Sequence, residues 1–212
     1  MRKLLTLCLL FMCCHCIEAI WVNGYVKISN TERLEGQIYV SQCNPATSGV
    51  TFSGIGLEDF YTRVMFRSRS QSRRVYEPND IIEFGFTYQL QDYVFQSFVL
   101  MYTSMIRHDR TRNRFLCLMY KGTFSLYQDN EMMQWPVCGP EYVAYQHYYL
   151  YSESIGLTKV EVSKSHKCLK NLLVMYGMDK EFLSAVPDTI GIRDIKQVLI
   201  DYDIWLQFKQ QI

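Results

Sequence analysis

The hydrophobic period of this chain changes once, near Ser163, and that change constrains the fold more than any other feature. Before it, from Trp21 to about Val162, apolar residues come in short runs split by Gly, Ser, Asn and Pro, the pattern of strands and turns. WVNGYVKI and LEGQIYV, joined by the polar SNTER, predict a hairpin. SGVTFSGIG, YTRVMF, RRVYE and DIIEFGF predict further strands, with Pro78-Asn79 as a turn. QDYVFQSFVLMYTSMI runs to a polar tip, RHDRTRN, and returns as RFLCLMY. The dipeptide KG then predicts a two-residue turn into TFSLYQ. MQWPV, YVAYQHYYLY and LTKVEV complete the strands.

After Ser163 the apolar residues recur at steps of three and four. Cys168, Leu169, Leu172, Leu173 and Tyr176 predict one helix, with Ser165 to cap it and Gly177 to stop it. Asp179 is placed to cap a short second helix through Phe182 and Leu183, ended by Pro187. A third is predicted from about Ile192, with Ile195, Val198, Leu199, Tyr202 and Leu206 on one stripe. Strands first and helices last predict an α+β fold: about ten short, mostly antiparallel strands, then two to three C-terminal helices. The expected divisions are a signal peptide at 1–19, a β-rich domain at 20–162, and a helical unit at 163–212 packed on it.

The opening MRKLLTLCLLFMCCHCIEA has the form of a secretory signal: two basic residues, a short apolar stretch, and small Ala19 before the expected cut. Its apolar run is too short to span a bilayer, which takes roughly 20 residues, and no long apolar run occurs later. Cys13, Cys14, His15 and Cys16 are consecutive, whereas zinc ligands on one chain are spaced so that both can turn toward one ion. No metal site is expected there. A lipoprotein signal retaining one of these cysteines is the alternative, although Met12 and His15 are not the small residues it wants beforehand. The expected location is periplasmic or extracellular, with lipid anchorage as the second choice.

Removing residues 1–19 from 212 leaves 193, enough for a proper core. Lys plus Arg falls from 22 to 20 and Asp plus Glu from 21 to 20. That balance argues against a nucleic-acid binder, which would carry a basic excess. Cys43, Cys117, Cys138 and Cys168 remain. Cys43 and Cys138 sit in turn-like contexts and are the favoured pair if a disulfide forms; Cys117 and Cys168 sit in apolar patterns.

The order of motifs resembles a widespread family of uncharacterised secreted or periplasmic proteins of Bacteroidetes type. GYVKISNTERLEGQIYV is similar to their opening hairpin, YEPNDIIEFGF to their Tyr, Pro-Asn-Asp-Ile, Phe-Gly segment, RFLCLMYKGTFSLYQ to their long hairpin, and IRDIKQVLIDY to their terminal helix. The Asp-Cys-Pro that many members carry after the first helix is absent. The resemblance implies a fold and an extracytoplasmic address; it carries no activity and no functional residue. Gly24, Gly36 and Gly85, inside strand patterns, predict bulges or close backbone approach.

No serine nucleophile elbow, phosphate loop, dinucleotide fingerprint, H-E-x-x-H or C-x-x-C occurs. Asp188-Thr189-Ile190-Gly191 only superficially resembles an aspartic-protease triplet and reads as an inter-helix turn. His108, His147 and His166 are scattered, and His166 does not share a helix face with Cys168. No catalytic residue, metal or cofactor is expected.

Two arginine clusters stand out: Arg63, Arg67, Arg69, Arg73 and Arg74, and Arg107, Arg110, Arg112 and Arg114. Arginine's planar fork suits carboxylate and phosphate, while charge of this kind also keeps loops and strand edges soluble. A tyrosine row, Tyr145, Tyr149 and Tyr151 with His147, is placed to stack on sugars or a partner, or to fill the core. The expected role is a non-catalytic binding or interaction module of the envelope. Its expected partner is an envelope protein or an anionic glycan such as lipopolysaccharide. A hydrolase with a site assembled from scattered residues is the rival.

Overall fold

The computed structural model describes residues 19–41, 57–68, 72–102, 110–134, 142–160 and 167–211. The fold is α+β, as the change of period predicts. Ten antiparallel strands are followed by helices. The strands are β1 (Ala19–Lys27), β2 (Arg33–Ser41), β3 (Val64–Ser68), β4 (Arg74–Tyr76), β5 (Glu83–Tyr88), β6 (Gln91–Tyr102), β7 (Arg110–Lys121), β8 (Ser125–Gln134), β9 (Tyr142–Ser152) and β10 (Gly156–Val160). The helices are α1 (Lys167–Met175), α2 (Lys180–Ala185) and α3 (Ile195–Lys209), with 3-10 turns at Glu58–Tyr61 and Ile192–Asp194. Hydrogen bonding orders the sheet β10-β9-β8-β7-β6-β5-β1-β2-β3-β4. Among the described residues no helix is long and apolar enough to cross a membrane.

The chain forms two compact units: Met1–Leu116 with Asn130–Tyr145, and Cys117–Asp129 with Gln146–Ile212. The division therefore does not fall at Ser163, where the sequence changes period. The cause is burial: the helical stripes need a surface, and Phe124, Leu126, Leu150 and Val160 supply one from strands within the same unit.

In the first unit, the β1–β2 hairpin pairs Tyr39 with Trp21, Gly36 with Gly24 and Arg33 with Lys27. Its polar loop is held by Ser29, whose Oγ accepts from the N–H groups of Thr31 and Glu32 at 3.3 and 3.1 Å. Directly opposed residues share a face, so the registers divide β1 to β6 into two sides. One side carries Val26, Ile38, Val40, Val64, Phe66, Phe84, Phe86 and Phe95, all buried. Phe60, from the first 3-10 turn, packs on it 5.1 to 5.7 Å from the Phe84, Phe86 and Phe95 rings. Phe84 and Phe95 stack at 4.8 Å. Full burial of each such ring is worth about 2–3 kcal/mol, so this side is the unit's core.

The glycines serve close approach rather than bulges. A Cβ on Gly24 would stand 2.5 Å from the Gly85 carbonyl oxygen and 2.9 Å from Ile38 Cδ1, and the Tyr25 ring lies across Gly85. Tyr61, expected to open a strand, belongs instead to the 3-10 turn, where its side chain is buried. The Pro78-Asn79 turn is present, closed by the Asp80 N–H donating to the Glu77 carbonyl at 2.9 Å.

In the second unit, the apolar stripes of the three helices meet the strand residues in one core containing Leu169, Leu173, Phe182, Ile195, Leu199 and Tyr202. The predicted cap at Asp179 and stop at Gly177 are in place, while Ser165 lies outside the described residues. Asp179 accepts from the Glu181 N–H at 2.8 Å, and Gly177 ends α1 at φ 83°. The β7–β8 connection corrects the expected two-residue turn, because Lys121 pairs with Ser125 and leaves Gly122, Thr123 and Phe124 between them. Gly122 does not adopt a positive φ. Its missing side chain makes room for the Asp203 carboxylate. Of MQWPV, Met133 and Gln134 are the end of β8, and residues 135–137 lie outside the described residues.

Candidate functional site

The other side of the first unit's sheet is the more open one, although Gly85 and Leu100 on it are buried. It presents Trp21, Tyr25, Arg33, Glu35, Gln37, Tyr39, Met65, Arg67, Val75, Glu83, Asp92 and Gln96, brought to one face by the registers of β1 to β6. These residues sort into two groups.

Around Tyr25 the charged groups Arg33, Glu35 and Glu83 each have a side-chain partner. The Tyr25 hydroxyl donates to Glu83 Oε1 at 2.8 Å, and Gln96 Nε2 donates to Glu83 Oε2 at 2.6 Å. The Arg33 guanidinium lies 3.7 Å over the Tyr25 ring and its Nε bonds Glu35 at 2.7 Å. Burial first, then the hydrogen bond to Glu83 and its charge, push the Tyr25 hydroxyl well above its ordinary range. A hydroxyl so held stays protonated at neutral pH and is no base. This group braces the sheet.

Around Trp21 the charges are not matched. Arg67 lies 4.2 Å and Arg73 5.4 Å from the centre of the Trp21 ring, and Tyr39 meets that ring edge-on at 5.4 Å. Arg67 gives Nε and Nη2 to Gln37 Oε1 at 2.9 and 2.7 Å. Those bonds aim the guanidinium without neutralising it. Toward the far end of β3 lies a pocket of about 160 Å³ lined by Tyr39, Ser41, Asp59, Phe60, Arg63, Met65 and Val75. Arg63 and Arg73 are exposed. Within the described residues Arg63, Arg67 and Arg73 form no ion pair.

The first arginine cluster is thus partly assembled: Arg63, Arg67 and Arg73 lie along one face. Arg74 is opposite Phe66 and turns to the core side, its guanidinium 4.7 Å over the Tyr76 ring. Arg69 lies outside the described residues. The second cluster is not a common surface. Arg107 lies outside the described residues, Arg110 opens β7, and Arg112 is exposed. Arg114, expected at an exposed tip, is buried because β7 begins at Arg110 and carries it into the sheet. Its Nη2 donates to the Asn130 carbonyl at 3.0 Å and its guanidinium lies 5.9 Å from the Tyr61 ring centre.

The tyrosine row divides as well. Tyr149 is buried, Tyr151 and His147 are half-buried, and Tyr145 lies on the same strand, β9. Tyr149 therefore cannot present a ring to a ligand. Cys43, Cys138, His108 and His166 lie outside the described residues. Cys117 is a buried free thiol that burial pushes up to about 12, so it is not nucleophilic at neutral pH. Among the described residues no three His, Cys, Asp or Glu are grouped to hold a metal. Asp188 lies between α2 and the second 3-10 turn, paired with Lys170 at 2.6 Å.

Comparison with protein-family models, curated proteins and solved structures finds no match.

Trp21, Tyr25 and Tyr39 were not singled out by the sequence. The signal was present: placing SNTER as the loop of the first hairpin sets Trp21 opposite Tyr39, and Arg67 follows once β3 is added beside β2. What linear clustering cannot give is the strand-to-strand neighbour.

Proposed function

We propose that this protein is a non-catalytic, extracytoplasmic binding module, and that the Trp21 face of its first unit receives an anionic ligand. One observation carries the reading. Arg63, Arg67 and Arg73 are collected on an accessible sheet face without an acidic partner, while Arg33 on the same face is consumed by Glu35. Guanidinium groups with free N–H edges suit carboxylate and phosphate. The extracytoplasmic address is supported by the signal-like leader, and cutting after Ala19 would remove only the first residue of β1.

The test is retention on immobilised heparin across a salt gradient, using the mature chain. Arg63→Ala, Arg67→Ala and Arg73→Ala together should weaken binding by about tenfold or more, at roughly 0.5–1 kcal/mol per exposed charge. Arg112→Ala serves as the control and should leave elution unchanged. Retention that survives the triple change, or that is insensitive to salt, would sink the proposal.

A further inference from the structure

The arrangement of the three arginines narrows the class of ligand; this step rests on the anion-binding reading above. Arg63 and Arg67 lie along β3 and its entry, four residues apart, which at strand spacing is about 13 Å. Arg73 precedes β4, beside Arg67 and over the same Trp21 ring. The cations thus form two ends rather than one nest. Between them lies the pocket wall of Tyr39, Met65 and Val75, apolar and accessible; Val75 is 47% exposed. Ser41 and Asp59 add a hydroxyl and a carboxylate at the Arg63 end.

We infer that this face recognises a short segment of acidic glycan, two to three sugar rings long, with an anionic group at each end and a ring body lying on Tyr39, Met65 and Val75. Each part of the site matches one part of that ligand. The paired Arg67 and Arg73 take one carboxylate or phosphate, and Arg63 takes the other. The apolar strip takes the C–H face of the intervening ring, as aromatic and aliphatic side chains do with sugars. Asp59 accepts from hydroxyl groups.

The same Asp59 argues against a densely charged phosphate polymer, which would meet a carboxylate at the Arg63 end of its path. Glu83 and Asp92, further along the face and bonded only to neutral groups, would repel such a polymer again. A ligand with sparse charges and many hydroxyls avoids both. Arg67 is already oriented by its two bonds to Gln37, so little side-chain freedom is lost when the anion arrives.

The experiment is calorimetric titration of the mature protein with galacturonic acid and its linear dimer, trimer and tetramer. Neutral maltotriose and a linear polyphosphate of matched charge serve as comparison probes. The inference expects a step in affinity of at least tenfold between the monosaccharide and the dimer or trimer, little gain beyond it, and polyphosphate weaker than the trimer. Arg63→Gln should abolish the step, since only the Arg67–Arg73 end then remains to take an anionic group. Val75→Ser should weaken the trimer and spare polyphosphate. Both substitutions are at exposed positions, and thermal melts confirm that the variants fold.

A length step that persists in Arg63→Gln, or polyphosphate binding as tightly as the trimer, overturns the inference. So does maltotriose binding as tightly as the acidic trimer. If heparin retention depends on the arginines while no oligosaccharide shows a length step, the anion-binding reading stands and this one falls. If retention itself is absent, both fall.

Discussion

Gln89 and Leu90 occupy the two central places of the β5–β6 hairpin, at φ 49° and 63°. Tyr88 pairs with Gln91, so only these two residues make the turn. Positive φ at both positions is the geometry that Asn-Gly adopts without strain, and each ordinary residue held there costs about 1–2 kcal/mol. Leu90 recovers none of that by packing, being wholly exposed. Changing Gln89-Leu90 to Asn-Gly should therefore stabilise the protein by about 1 kcal/mol, after the added flexibility of glycine in the unfolded chain is subtracted. A higher urea midpoint is the expected result, and a lower one would show that Leu90 makes a contact worth more than the strain. Gly122 teaches the opposite lesson. The sequence reading gave it the role of a turn glycine because it follows Lys121 between two apolar runs. Its actual constraint is Asp203, 81 positions away by the numbering, whose carboxylate also accepts from the Thr123 N–H at 3.2 and 3.3 Å. No local rule reveals a constraint set by a distant helix.

Among the elements, helices were legible because their signals are local. Ile195, Val198, Leu199 and Tyr202 recur at helical steps, and all four are buried on α3. The end of α1 was equally plain. The Met178 N–H donates to the Leu173 carbonyl at 3.0 Å and the Gly177 N–H to the Val174 carbonyl at 2.9 Å, with Leu173 and Met178 both buried. That pair of bonds is a Schellman stop, which requires a left-handed residue at Gly177. Gly177→Ala should cost about 1 kcal/mol by urea denaturation. Space is not the difficulty, since nothing lies within 4 Å of an added Cβ. A neutral result would mean that the last turn rearranges freely. The strands were legible as hairpins but not at their ends. The β7 strand begins within the charged RTRN, because backbone pairing tolerates arginine, and that shift is what carries Arg114 from an expected tip into the buried sheet. The 3-10 turn at Glu58–Tyr61 left no periodic mark, since four residues are too few to show one.

Across the whole molecule, the order of strands and helices followed from the change of period, whereas the compact units did not. Periodicity reports which way each side chain points; it does not report which surface an apolar stripe will choose. The candidate site shows the same limit. Its arginines were visible as a cluster in the sequence, but Trp21 and Tyr39 join them only through pairing across β1, β2 and β3. One property draws on both units. Tyr25 in the first and Tyr120 in the second each donate a hydroxyl to a carboxylate, Glu83 at 2.8 Å and Asp203 at 2.5 Å. Burial, followed by the hydrogen bond and charge of Asp203, pushes the Tyr120 hydroxyl up to about 12, and Tyr25 is raised further. A raised folded pKa means that the native state holds these protons after the unfolded chain has released them. The stabilisation is therefore complete below the unfolded value of 10.0 and is lost as pH rises through about 12 for Tyr120 and beyond it for Tyr25. Urea midpoints should be level from pH 7 to 9 on this account and fall above pH 10. Tyr120→Phe and Tyr25→Phe should each lower stability at pH 8 by about 1 kcal/mol through the lost hydrogen bond, yet each should reduce the alkaline slope. If the double variant keeps the full slope, other groups drive the loss and these two hydroxyls are not its source.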